Sequence, residues 1–190
     1  MEFVEECVMQ VKAGEVNKYV HIVEAFQAPI YRYCSRMLGN RQEAEDAVQD
    51  ILVKAYEKID KYDPTGSFSS WLYKIAHYHC LNLLRKRSIQ RKFQSWFHQE
   101  AIAESAEQTM TNRLFGEPLA SAITALSADE RSLLILRALE EKSFAEIGEI
   151  SGKSTEAVKK KYGRLKLKLQ KLMEQKEGAG YAKSQSYTSR

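Results

Sequence analysis

The sequence predicts an all-α protein: two small helical domains joined by a flexible linker, the second containing a helix-turn-helix. Three observations predict it. Apolar residues recur at helical spacing over most of the chain, with no convincing strand alternation. Only 9 Gly and 3 Pro occur among 190 residues, too few for a turn-rich β-sandwich. A polar, weakly periodic stretch at 88–117 separates two periodic parts, so the expected boundaries are 1–87, a linker at 88–117, 118–176, and a disordered tail at 177–190.

In the first part, Tyr19, Ile22, Val23, Phe26, Ile30, Tyr33, Cys34 and Met37 share one helical face. Pro29 interrupts it and predicts a kink or a break, and Gly39-Asn40 closes it. Ala44, Ala47, Val48, Ile51, Leu52, Ala55 and Ile59 mark a second amphipathic helix. Residues 61–67 carry the turn chemistry of Asp-Pro and Gly. Several Ser N-cap candidates follow, ahead of a third helix from about Trp71 to Arg87. In the second part, Leu119, Ile123 and Leu126 define a short helix. Ser127 and Ser143 each stand three residues before a Glu, the capping-box pattern, and each opens a further helix. Gly152 is placed to stop the second of these. A long last helix starts near Thr155, its apolar stripe being Val158, Tyr162, Leu165, Leu169 and Leu172.

Composition narrows the class. With 44% hydrophobic and 28% charged residues the chain is a folded, water-soluble type. No apolar run approaches the roughly 18 residues that span a bilayer. The acidic start, Met1 to Glu6, lacks the basic segment of a signal peptide. Three widely spaced cysteines, Cys7, Cys34 and Cys80, suit a reducing compartment better than a disulfide framework. A cytoplasmic location is the expectation.

The net charge of +4 conceals alternating blocks. Residues 153–176 carry nine basic and two acidic side chains, and residues 85–92 five basic and none acidic. Residues 43–57 carry five acids against Lys54, and residues 100–117 four acids against Arg113. Basic blocks suit a polyanion. Charge alone leaves solvated helix faces equally open.

Residues 143–165 add geometry to charge: a capped short helix, a Gly-containing turn and a second helix form a helix-turn-helix pattern. The early turns of the second helix expose Thr155, Glu156, Lys159, Lys160 and Lys161, where such motifs meet base edges and phosphates. A two-helix hairpin with a basic surface would share part of this pattern. The turn, both caps and the basic face together favour DNA. In the first domain, Phe68, Trp71, Tyr73, His77, Tyr78 and His79 surround Lys74 and precede Arg85, Lys86 and Arg87, a mixture suited to stacking single-stranded bases. For Trp71 a core position is the stronger reading. His77, His79 and Cys80 with Cys34 do not form the recognisable ligand pairs of a zinc site. No nucleophile motif or phosphate-cradling Gly-rich loop appears. The expectation is no enzyme, no cofactor, no metal and no small-molecule substrate.

Three stretches occur in order: Arg36-Met37-Leu38-Gly39-Asn40, Ala44-Glu45-Asp46-Ala47-Val48-Gln49-Asp50, and Phe68 to Ala76 (FSSWLYKIA). They resemble region 2 of the extracytoplasmic-function (group IV) sigma factors of bacterial RNA polymerase. Leu126 to Leu172, including Ala145 to Ile150 and Val158-Lys159, resembles their region 4. The resemblance implies that Glu45, Asp46, Gln49, Asp50 and Val53 dock on the β′ clamp of core polymerase, with the β flap also a partner. It implies that Tyr62, Ser67 and Phe68 capture a flipped −10 base, and that Lys74, Tyr78, Asn82, Arg85 and Lys86 hold the melted strand. Ser154, Thr155, Glu156, Lys159, Lys160, Lys161 and Arg164 would read the −35 element. The acidic linker would thread polymerase toward the RNA path. An anti-sigma factor, able to hold the chain at the membrane, is a further implied partner. The chain departs from the family pattern at Tyr78, where Asn is common, and at Asn82, where Asp is common. It departs again at Lys161, where Arg is common, and at Gly163, where a larger residue is common. The alternative is a stand-alone helix-turn-helix regulator acting on duplex DNA without polymerase. That reading leaves the acidic helix unexplained.

Overall fold

The computed structural model describes residues 2–97 and 119–187, with side chains placed over 3–91 and 122–174. Its elements are α1 (Glu2–Lys12), a 3-10 turn (Val16–Lys18), α2 (Tyr19–Leu38), α3 (Arg41–Glu57), a second 3-10 turn (Ile59–Lys61) and α4 (Phe68–Phe97). After the undescribed segment come α5 (Leu119–Thr124), α6 (Ala128–Ala138), α7 (Phe144–Ser151) and α8 (Thr155–Tyr187). No strand occurs among the described residues.

Local chemistry ends and starts these helices. Gly39 takes a left-handed conformation (φ 66°) and its N–H returns to Ser35 O, closing α2. The Asn40 side chain then accepts from Glu43 N and opens α3, a cap of about 1 kcal/mol. Both capping boxes form, Ser127 with Glu130 and Ser143 with Glu146. Burial raises the Glu146 carboxyl, but hydrogen bonds from Ser143 and Lys142 outweigh it and lower its pKa overall. Pro29 does not break α2, which is continuous from Tyr19 to Leu38. Ile22 and Ile30 are fully buried on either side of it, so tertiary packing offsets the lost backbone bond.

Three helices differ from the sequence expectation. α1 is additional to the expected set. Its Cys7, Val8 and Val11 are buried at helical spacing and cover the edge of the first bundle. α4 continues to Phe97, ten residues past Arg87, so the first part of the expected linker is helical. The rest of that linker, with its acidic residues, lies outside the described residues. α8 continues to Tyr187, past Glu177, where disorder is the sequence expectation. The straight-chain Lys, Glu and Gln residues that extend an existing helix cheaply account for part of this.

α2, α3 and α4 form the first bundle, around Ile22, Tyr33, Met37, Ile51, Phe68 and Leu72. The second bundle, α5 to α8, is built on Ile123, Leu136, Ile147, Ile150, Val158 and Leu165. The two share one continuous core. At their boundary the Ser132 hydroxyl lies 2.8 Å from Tyr33 Oη and 2.8 Å from His77 Nδ1, all three buried. Arg131 Nη1 donates to Met37 O at 3.0 Å. Burial pulls the His77 pKa down to about 4, so the ring is neutral at pH 7.

Candidate nucleic-acid interface

A basic, aromatic-walled groove runs along α4. A cavity of about 390 Å³ is lined by Lys54, Lys58, Lys61 and Lys74 around Trp71 and Tyr78, with His79 and Asn82 at its margin. Beside it, a cavity of about 220 Å³ is formed where the 62–67 loop meets Trp71 and Lys74. The groove is assembled from three elements: the end of α3, the turn after it, and α4.

Sequence reasoning missed part of this site. Lys54, Lys58 and Lys61 step by four and three, a single helical face, and that spacing was a usable signal. Glu5 was missed as well. Its Oε1 accepts from Phe68 N at 2.9 Å and so caps α4, and its Oε2 lies 2.8 Å from Tyr62 Oη. Lys12 Nζ donates to Tyr62 O at 2.8 Å, so α1 fixes both ends of the loop. The His79 pKa is lowered, first by burial and then by Lys54, whose Nζ lies 2.8 Å from His79 Nδ1.

Of the residues expected at a single strand, Lys74, Tyr78 and Asn82 line the groove, and Arg85 and Lys86 are exposed further along α4. Ser67 is half-buried in the loop. Tyr62 and Phe68 are both buried: Phe68 is completely enclosed, so the expectation of an accessible ring is corrected for it, whereas Tyr62 still lines the smaller cavity. Phe68 contacts Phe26, Tyr62 and Trp71 at ring-centroid distances of 5.6, 5.3 and 5.4 Å. Burying such a ring contributes roughly 1.5–3 kcal/mol, which a solvated loop position forfeits. The Tyr62 hydroxyl is taken by Glu5 and by Gly66 O at 2.5 Å. The core reading of Trp71 holds in part, since its ring packs against the core from the surface. Trp71 is half-buried, with its indole packed on Tyr62 and Phe68 and a surface that lines both cavities. Arg87 is a structural cation, bonded to Glu43 and to Leu38 O.

The helix-turn-helix is α7, the turn Gly152 to Ser154, and α8. Gly152 is left-handed (φ 66°). Gly148 permits the tight turn, since a Cβ there would lie 2.7 Å from Lys153 O. Phe144 on α7 packs against Tyr162 on α8 and holds the two helices together. Ser154 Oγ caps α8 by accepting from Ala157 N, and Thr155 is half-buried. Glu156, Lys159, Lys160 and Arg164 are exposed, with Glu156 and Lys159 paired at 3.1 Å. Lys161 turns inward, half-buried near Asp129 and Lys153, and burial is the chief cause of its lowered pKa. At Gly163 an added Cβ would meet nothing within 4 Å.

A third surface lies on α3. Asp46, Gln49, Asp50 and Val53 form an exposed stripe, with Val53 57% exposed among acids. Glu45 is half-buried and held by Arg41 at 2.8 Å.

A basic aromatic groove and a helix-turn-helix on one helical chain define a DNA-binding class of protein, and the acidic stripe adjoins the groove where Asp50 Oδ2 lies 3.9 Å from Lys54 Nζ. Residues 22–89 match the sigma-70 region 2 family and residues 116–169 the sigma-70 region 4 family. The ECF RNA polymerase sigma factor SigW of Bacillus subtilis (strain 168) is 30% identical over 153 residues, spanning 75% of this chain and 82% of that protein. The RNA polymerase sigma factor YlaC of the same strain is 31% identical over 148 residues, spanning 76% and 85%. The fold is that of CnrH in complex with the cytosolic domain of CnrY (TM-score 0.68, 23% identity, 90% of this chain and 97% of that one). The chain belongs to the extracytoplasmic-function sigma factors of the sigma-70 family, and functions as an RNA polymerase sigma factor rather than as a stand-alone regulator.

Proposed function

We propose that the three surfaces divide the work of promoter recognition. The α3 stripe of Asp46, Gln49, Asp50 and Val53 docks on the β′ clamp, where its acids meet basic partner groups and Val53 supplies an apolar contact. The α4 groove holds the displaced −10 strand. Lys54, Lys58, Lys61 and Lys74 follow its phosphates, and Trp71 and Tyr78 offer faces for bases that have left the stack. The start of α8 reads the −35 duplex through Glu156, Lys159, Lys160 and Arg164, with Ser154 and Thr155 shaping the turn. The second bundle also meets the β flap. Opening is non-enzymatic on this reading: binding energy offsets unstacking and no bond is made or broken.

The observation that carries the proposal is that acidic stripe and basic groove lie on adjacent helices of one bundle, each with its charge exposed. A cytoplasmic site of action is part of the proposal. Among the described residues no helix is long and apolar enough to cross a membrane. An anti-sigma factor is the proposed regulator, because CnrH and the RpoE of Bartonella quintana share this fold in complexes with CnrY and NepR.

Asp50→Arg tests the docking surface. Asp50 is 64% exposed at its side chain, so the fold should survive. Affinity for core polymerase, measured by fluorescence titration, should fall at least about tenfold, roughly 1.4 kcal/mol. Unchanged affinity removes this face from the interface.

A further inference from the structure

The 62–67 loop forms one wall of the smaller cavity, which Trp71 and Lys74 also line. Two bonds shape the loop from within: Gly66 N donates to Asp63 O at 3.2 Å, and Thr65 N to Asp63 Oδ1 at 3.0 Å. They fix its turn but not where the turn stands. That is set from α1. The two oxygens of Glu5 bridge the ends of the loop, Oε1 accepting from Phe68 N and Oε2 from Tyr62 Oη. Lys12 Nζ adds its bond to Tyr62 O. Among the described residues, none of α1 lines either cavity. α1 also precedes the segment that matches sigma-70 region 2.

The Tyr62 phenol is the joint between helix and loop. It has one proton and two acceptors within reach, Glu5 Oε2 at 2.8 Å and Gly66 O at 2.5 Å. Burial first, and the Glu5 carboxylate next, push its pKa up, so the proton stays on the phenol at neutral pH. A charged acceptor holds such a proton more strongly than a carbonyl does. The carboxylate therefore fixes the phenol, and the phenol in turn spaces Gly66 from α1. The helix itself is anchored by Cys7 and Val8, both buried. A half-buried carboxylate on a seated helix is a rigid reference point for the loop.

We propose that Glu5 is a positioning residue for strand capture: without touching DNA, its carboxylate holds Tyr62 and the start of α4 so that the 62–67 loop and Trp71 keep the smaller cavity shaped for an unstacked base. The proposal rests on the assignment of the α4 groove to the −10 strand. A site held in its bound shape binds better because less ordering remains to be done. The benefit falls on the base and not on the phosphates, which follow Lys54, Lys58 and Lys74 on other elements.

The test uses Glu5→Gln and Tyr62→Phe in the full chain, each assembled with bacterial core polymerase, with core alone as the blank. The amide oxygen of Gln can still accept from Phe68 N, but its NH2 group cannot accept from the phenol. Tyr62→Phe deletes the hydroxyl and keeps the buried ring. Glu6→Gln, an exposed neighbour, controls for lost charge. The probes are a short fluorescein-labelled single-stranded DNA of mixed sequence and the same backbone made of abasic sites. Wild type should bind the base-bearing strand more tightly than the abasic one. Each variant should bind the base-bearing strand at least about fivefold more weakly, the low end for one stacked base, and the abasic strand as wild type does. The double variant should be no weaker than the weaker single one, because both act through one bond. Glu6→Gln should keep the full preference for bases. An unchanged preference in both variants overturns the positioning role and leaves the −10 assignment standing. Equal weakening on both strands assigns the effect to the fold at large and also overturns it. No preference for bases in wild type overturns the −10 assignment together with the proposal. If Glu5→Gln fails to fold in melts, Tyr62→Phe decides by the same criteria.

Discussion

The two proposed DNA surfaces are built in opposite ways. On α8 the cations Lys159, Lys160 and Arg164 come from consecutive turns of one helix, placed by a local turn and a serine cap. On α4 the groove is a tertiary object. Its cations come from α3, the following turn and α4, its loop is pinned by Glu5 and Lys12 of α1, and its walls are neighbouring aromatics with different fates. The difference teaches that a duplex-reading helix needs one exposed face, whereas a strand-holding groove needs several elements in register. The first tolerates surface substitution, and the second fails when its scaffold does.

The sharpest way to break that comparison is at Phe68 and Trp71. Phe68→Ala should lower stability by about 3–5 kcal/mol in denaturant melts, because the ring is fully enclosed. Trp71→Ala should act mainly on DNA, weakening single-strand binding by roughly 1–3 kcal/mol as a stacking face is removed. If the two swap behaviours, the groove wall is misassigned. On α8, Lys159→Ala/Lys160→Ala should leave the melting curve unchanged. It should flatten the log–log salt dependence of promoter binding by about 0.9 for each phosphate that is no longer neutralised. An unaltered slope takes both lysines off the DNA.

The bundle boundary has a pH signature. His77 titrates ordinarily near 6.5 and in the folded chain near about 4, so the unfolded chain binds the proton first. Its contribution to stability is complete above about pH 6.5 and is lost as pH falls toward 4. His77→Gln should remove that slope between about pH 6.5 and 5, above the range where carboxylates titrate. The smallest effect is expected at Gly163. With open space around a new Cβ, Gly163→Ala should raise stability by about 0.5–1 kcal/mol and leave DNA binding intact. A drop in binding instead would give the missing side chain a role at the duplex.

Legibility in the sequence follows the same division. The helix-turn-helix is readable because its signals are local: two Ser-x-x-Glu boxes, Gly152 and a basic face within one segment. The acidic stripe is readable because a helical period shows which acids share a face. Phe68 and Trp71 cannot be separated by period, since residues three apart share a helix face and only packing decides which is enclosed. Lys161 escapes a local reading for a related reason: Asp129, the nearest acid acting on its charge, lies on another helix. The closure of one bundle on the other depends on contacts such as Tyr33 with Ser132, 99 residues apart, which no local pattern encodes. α1 leaves a readable trace in Cys7, Val8 and Val11, but its use as the clamp of the 62–67 loop rests on Glu5, one acid in an acidic run.

The most direct test of the central claim combines the purified full chain with bacterial core RNA polymerase, followed by transcription from a library of random upstream sequences. The account predicts a stable complex that initiates from templates sharing a −35/−10 pair, with the chain alone binding those templates weakly. Absence of a complex, together with tight binding of the chain alone to duplex DNA, would contradict it.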